Sequence, residues 1–172
     1  MNVPDIEPAF EIRYMMHTDY AEAAAIDRVS FSVPWDWRAF SDALASRNTM
    51  GIVIRAASTG TRPIAYILYD LQPESIDILR MAVDPTFRRQ RLGSALIWKM
   101  HGKLSAQGKR QTLTITAPDD CLEGHLFLRA LAFRCVSVVG HSEGPDDYVF
   151  RYRLGDQSLE RVGDECGEGQ GK

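Results

Sequence analysis

The chain has 172 residues, 45% hydrophobic and 25% charged, which is the material of one domain able to bury a core without disulfides. A formal net charge of -3 and a pI near 5.8 exclude, for the chain read whole, a polybasic membrane or nucleic-acid binder. Cys121, Cys135 and Cys166 form no Cys-x-x-Cys pair, so neither a disulfide framework nor a metal site is expected. No apolar run reaches the roughly 18 residues of a membrane span, and the opening residues carry no basic-then-apolar leader, so the expected setting is cytoplasmic with no membrane partner.

After a short arm, Glu11 to Tyr14 predicts a strand. Asp19, followed three residues later by Glu22 as in a capping box, predicts a helix running to about Ser30. Pro34 opens a second helical stretch to about Arg47, with Trp37, Phe40 and Leu44 on one apolar face. Met50 to Ala56, Ile64 to Leu71 and Ser75 to Val83 read as three strands, and their short connections predict an antiparallel meander. A long helix from Leu92 to Gln107 carries Leu92, Ala95, Leu96, Met100 and Leu104 in one stripe and is expected to stop at Gly108. The strand Thr112 to Ala117 lies one crossover beyond Ser75 to Val83 and should pair with it in parallel. A helix from Glu123 to Ala130 and strands at Phe133 to Val139 and Tyr148 to Leu154 complete an α/β (α+β) domain expected over residues 1–154. Residues 155–172 are acidic and Gly-rich, and a disordered tail is expected there.

The charge is unevenly spread. Residues 80–110 hold eight Lys or Arg (Arg80, Arg88, Arg89, Arg91, Lys99, Lys103, Lys109 and Arg110) against Asp84 alone. Within them, Val83-Asp84-Pro85-Thr86-Phe87-Arg88-Arg89-Gln90-Arg91-Leu92-Gly93-Ser94-Ala95 runs from a strand into a helix, where unpaired main-chain N–H groups make an anion site. Gly93 leaves room for close approach, Ser94 is short and polar, and three arginines fall within four residues, a pattern suited to a pyrophosphate. Neither a Walker loop nor a dinucleotide fingerprint is present. The Gly140-His141-Ser142-Glu143-Gly144 segment matches a hydrolase elbow in letters only, since a strand follows it and no later histidine exists; a hairpin turn is expected.

The segment from Val83 to Leu96 resembles the GNAT superfamily of acetyl-CoA-dependent N-acetyltransferases, whose signature Gln/Arg-x-x-Gly-x-Gly/Ala follows a strand ending in Val-x-Pro. The likeness covers Ile12 to Leu154 and implies a mixed, mostly antiparallel sheet flanked by helices. It implies acetyl-CoA as co-substrate, held by the main chain of Met81, Ala82 and Val83 and by Arg88, Arg89, Gln90, Arg91, Leu92, Gly93 and Ser94. Arg91 stands where the family has its first glycine. Phe127-Leu128-Arg129-Ala130-Leu131-Ala132-Phe133 is similar to the family's Phe/Leu-Tyr-x-x-x-Gly-Phe element, with Leu128 in place of the tyrosine that protonates the departing thiolate and Ala132 in place of glycine. Cys121 takes a position where asparagine is common, and both Cys121 and Leu128 are expected beside the cofactor. Ile12-Arg13 with Asp19, and Phe31-x-x-Pro34-Trp35, look most like ribosomal-protein alanine N-acetyltransferases, in which Thr116 would be a glutamate.

With both usual acid-base residues missing, Asp77 and His125 are the candidate catalytic groups, and Trp35 and Trp37 are candidate walls of an acceptor groove. An α-amine is roughly 10 to 20% unprotonated at pH 7 and a lysine less than about 0.1%, so a base-poor site favours a protein or peptide N-terminus as acceptor. The alternatives are a small-molecule amine acceptor and a catalytically weakened CoA-binding regulatory module. No metal and no nucleic-acid partner are expected, and the chain is expected to be a monomer or homodimer.

Overall fold

A computed structural model describes residues 10–142 and 144–155. Strands β1 (Phe10–Tyr14), β2 (Thr49–Ala56), β3 (Pro63–Leu71), β4 (Ser75–Val83), β5 (Thr112–Pro118), β6 (Arg134–Val139) and β7 (Asp147–Arg153) form one sheet in the order β1-β2-β3-β4-β5-β7-β6. Only β4 and β5 pair in parallel; every other neighbour is antiparallel. Helices α1 (Tyr20–Arg28) and α2 (Trp37–Leu44) lie on one face, and α3 (Leu92–His101) and α4 (Leu122–Ala130) on the other. This is the mixed, mostly antiparallel sheet that the resemblance implies. The expected disordered tail falls outside the described residues.

Covering both faces explains the composition of the central strands. Ile52, Val53 and Ile54 in β2 and the run from Ile64 to Tyr69 in β3 are buried almost without a break, as in a strand that has no wet side. On the α3 face, Ile52, Ile54, Ile67, Tyr69, Ile76 and Ile78 meet Leu92, Leu96, Ile97 and Met100. On the α1 face, Val53, Tyr66, Leu68 and Ala82 meet Ala23, Ala24, Ile26 and Phe40. Complete burial of one such branched side chain contributes about 1.5 to 3 kcal/mol.

Two boundaries and one cap differ from the sequence reading. Helix α2 begins at Trp37 rather than Pro34, because Asp36 is its N-cap and accepts a hydrogen bond from Ala39 N at 2.9 Å. Helix α3 ends at His101 rather than Gln107; Gly102, Lys103 and Leu104 turn away through bonds of 3.0 Å to the carbonyls of Trp98, Met100 and His101. Asp19 stands at the N-cap of α1, but its side chain makes no capping bond there. Its buried carboxylate receives both terminal guanidinium nitrogens of Arg13, at 2.6 and 2.7 Å, and Met16 N at 2.7 Å, tying the end of β1 to the approach of α1. Burial opposes the charge of Asp19, but these donors outweigh it and its carboxyl titrates below the ordinary range.

His101, at the end of α3, stacks on Tyr152 with ring centroids 4.2 Å apart, and its Nε2 is buried without a hydrogen-bond partner among the described residues. Burial lowers its pKa. The unfolded chain therefore takes up a proton near pH 6.5 while the folded protein does so only at lower pH, and stability present above about pH 6.5 is lost as pH falls toward the folded value. A His101→Phe variant keeps the stack without the titration. Its Tm relative to wild type should rise as the pH is lowered from 7.5 to 5.5, and a constant difference across that range would refute this role.

Candidate active site

The sheet opens between its two parallel strands. Strand β4 bonds to β5 only from Ser75 to Ile78, opposite Thr112 to Ile115. Beyond that point β4 stays with β3 as far as Val83, and β5 stays with β7 as far as Pro118. The main chain of Leu79 to Val83 thus has one edge without a strand partner, and Met81, Ala82 and Val83 lie on this open stretch.

A β-bulge sits at the mouth of the opening. Ile78 pairs with Tyr69 and Arg80 with Leu68, leaving Leu79 as an extra residue. Ile76 and Ile78 face α3, and strict alternation would send Arg80 into that same apolar layer. The bulge turns Arg80 to the opposite face, where Asp27 of α1 waits with a fully buried side chain. Arg80 Nε reaches Asp27 Oδ2 and its terminal nitrogen reaches Oδ1, both at 2.8 Å. Asp27 also accepts from the Tyr66 hydroxyl and, at 2.6 Å, from Trp35 N. Burial first, and then the Asp27 carboxylate, hold the Tyr66 phenol well above its usual range. Burial works against the charge of Arg80, yet its bonds to Asp27 prevail and raise its pKa.

The loop after β4 is built for main-chain donation. Asp84 caps a short turn by accepting from Thr86 N at 2.9 Å, and Arg62 pairs with the same carboxylate. Arg89 and Arg91 then adopt left-handed backbone, with φ of 65° and 61°. Such reversals of hand turn successive N–H groups toward one concavity. The first main-chain bond of α3 runs from Ala95 N to Arg91 O at 2.9 Å, so the N–H groups of Leu92, Gly93 and Ser94 lie ahead of the helical ladder. Gly93 allows close packing: a Cβ there would come within 3.1 Å of the Phe127 ring, which would have to shift. Arg88 lies along the loop, donating to Val83 O at 3.3 Å and to Ser30 Oγ at 3.4 Å.

The fold brings Met81 to Val83 and Arg88 to Ser94 together at one end of the opening. Leu92 and Leu128 are buried, so Leu128 contributes only a floor of the core beneath α4. Cys121 ends the turn after β5, half-buried, with its carbonyl accepting from His125 N. The two expected catalytic groups both have partners within the fold. Asp77 lies at the closed end, where β4 and β5 still pair, and accepts from Ser75 Oγ at 2.9 Å and from the Thr114 hydroxyl. His125 Nε2 is 2.9 Å from Pro118 O and its ring packs between Tyr148 and Phe150, which makes it a brace between α4 and β5. Thr116 is exposed on the open stretch of β5.

The cationic run 80–110 is likewise divided. Arg80 is neutralised by Asp27, and Arg110 Nε binds Gln72 O at 2.9 Å. Lys99 and Lys103 line a separate cavity of about 520 Å³ with Tyr14 and Trp98, toward the other end of α3. Arg88, Arg89 and Arg91 belong to the anion-type loop itself. Among the described residues no group of three or more His, Cys, Asp or Glu could hold a metal ion, and no helix is long and apolar enough to cross a membrane.

Comparison with known proteins agrees with this fold. The model of the acetyltransferase (GNAT) family matches residues 13–133, and the chain belongs to that family; by that membership it is an acyltransferase. Among solved structures, the ribosomal-protein alanine N-acetyltransferase of Escherichia coli shares the fold with a TM-score of 0.71 at 17% identity, over 89% of this chain and 99% of its own. Ard1 from Thermoplasma volcanium has a TM-score of 0.74 at 18% identity, over 85% and 98%. Arabidopsis thaliana NAA60 with a bisubstrate analogue has 0.71 at 15%, over 85% and 98%. None of the curated proteins matches the chain.

The two positions where this chain departs from the family's glycines, Arg91 and Ala132, both have left-handed backbone, Ala132 with φ of 63°. Ala132 follows α4 in a Schellman arrangement: Phe133 N bonds Leu128 O and Ala132 N bonds Arg129 O, each at 3.0 Å. Glycine carries no Cβ penalty there, so Ala132→Gly should stabilise the protein by about 0.5 to 1 kcal/mol in urea denaturation, whereas Ala132→Val should destabilise it by more. Equal effects of the two would contradict the assigned backbone.

Proposed function

We propose that this protein transfers the acetyl group of acetyl-CoA to a primary amine, with a protein or peptide N-terminus as the acceptor class. The observation that carries the reading is the opening between β4 and β5, which ends at the N-terminus of α3 and at Arg88, Arg89 and Arg91. The residues present fit acetyl-CoA. The unpaired edge of Leu79 to Val83 can bond an extended pantetheine arm as an added strand, and the N–H groups of Leu92, Gly93 and Ser94 with three arginines suit its pyrophosphate. When bound, acetyl-CoA supplies the activated thioester.

The rest of the chemistry is positioning. Neither Asp77 nor His125 is free at the opening, so the reading assigns no side chain the role of general base. The amine must arrive unprotonated, which an α-amine does far more often than a lysine at pH 7. A thiolate with a pKa near 8.5, by analogy with cysteine, can take its proton from water, and orientation against main-chain N–H donors supplies much of the rate. Direct attack by the amine leaves no covalent enzyme species. A structural neighbour named as acting on ribosomal-protein alanine supports a protein acceptor. The occupied His125 and the buried Leu128 favour a second reading, a CoA-binding module with weakened catalysis.

Acetyl-CoA should raise Tm by several degrees, and Arg88→Glu should abolish most of that shift; a wild-type protein with no shift would refute both readings. Thiol release from acetyl-CoA, measured with alanine-initiated peptides, polyamines and aminoglycosides, should be fastest with the peptides. Acceleration by none of them would favour the regulatory module, and preference for an aminoglycoside would favour a small-molecule acceptor.

A further inference from the structure

We propose that Arg80 is a positioning residue that locks the segment between α1 and α2 against the donor strand, so that acceptor binding depends on a side chain of the strand whose main chain serves the donor. The proposal rests on the acetyl-transfer reading above.

Residues 29–36 lie between the two helices; Ser30 and Phe31 N still bond Asp27 O, and Arg88 reaches Ser30 Oγ. From Phe31 to Trp35 the segment is fastened through Arg80. The guanidinium lies over the Phe31 ring, 3.7 Å from its centroid, and 5.4 Å from that of Trp35. Its terminal nitrogen donates to Val33 O at 2.8 Å. Asp27, which it neutralises, accepts from Trp35 N. A single planar group therefore touches the segment at Phe31, Val33 and Trp35 while rooted in β4, directly after the bulge.

What is held is an apolar lip. Val29, Val33 and Trp37 are 63%, 78% and 53% exposed, on the face of the sheet opposite α3. Such exposed apolar side chains suit an uncharged first or second residue of a peptide. Because Arg80 is spent on Asp27, the lip carries no net charge from this pair. The donor side, in contrast, uses only the main chain of β4, and Arg80→Lys keeps a cation beside Asp27, so the pairing of residue 80 with Leu68 is retained in that variant. Lysine cannot replace the guanidinium: a point charge cannot span both oxygens of Asp27, reach Val33 O and lie flat on Phe31 together.

The test is a split between donor and acceptor in Arg80→Lys. Its Kd for acetyl-CoA, by calorimetry, should stay within about 2-fold of wild type, while KM for an alanine-initiated peptide rises about 10-fold, with a smaller change in kcat. Hydrogen exchange at the Trp35 amide should accelerate. If Arg80→Lys does not fold, Phe31→Leu, which leaves the ion pair in place, should give the same split with a smaller rise. Donor Kd and acceptor KM worsening together, or acceptor KM unchanged while the Trp35 amide exchanges faster, would overturn the proposal. Wild-type protein that acetylates no amine would overturn the transfer reading itself, and the role of Arg80 with it.

Discussion

One extra residue in β4 organises the site. The bulge at Leu79 lets Ile76 and Ile78 remain in the α3 layer while Arg80 turns to the α1 layer and meets Asp27. The two facts depend on each other. Without the bulge a guanidinium would enter an apolar core, and without Arg80 the carboxylate of Asp27 would be buried and unpaired. Removing one partner of such a pair typically costs about 3 to 5 kcal/mol, so the ion pair holds the register of β4 against the slip that would erase the bulge. The same irregular stretch begins where β4 and β5 part, so the opening inherits its shape from this constraint.

The loop that follows gains its chemistry from backbone form more than from charge. Arg89 and Arg91 accept left-handed conformations that cost bulky residues energy, and what they obtain is a concave main chain ahead of α3. Gly93 then lets Phe127 of α4 close upon the start of α3. Arginine at these positions combines the turn with positive charge that an anionic co-substrate can use. On the opposite face the charges cancel within the fold, through Arg80 with Asp27 and Arg13 with Asp19.

Much of the architecture was legible in the sequence, because apolar periodicity and turn residues are local signals. The meander from Met50 to Val83, the parallel return at Thr112 and the anion-type loop from Arg88 to Ser94 all followed from spacing or from the motif. Legibility ended where one side chain answers another far along the chain. Asp27 sits four residues after Ala23 and three after Ala24, on the stripe that α1 buries, and an acid there was a visible sign that a cation must meet it. Arg80 at the even-numbered position after Ile76 and Ile78 was the matching sign of a bulge. Neither residue alone identifies the other across 53 positions. Asp77 and His125 were attractive by residue type, but hydroxyls of the closed end and a carbonyl of β5 already engage them. The end of α3 was misjudged because Leu104 continues the apolar stripe past the helix and packs against the core from the loop.

The central claim is that the unpartnered edge of β4 receives the donor as an added strand. Amide hydrogen exchange across β4, with and without saturating acetyl-CoA, tests it most directly. The account predicts that acetyl-CoA slows exchange in the 79–83 stretch and at residues 92–94, with little change at residues 76–78, which are already paired. Binding that raises Tm but leaves exchange at residues 79–83 unchanged would contradict it.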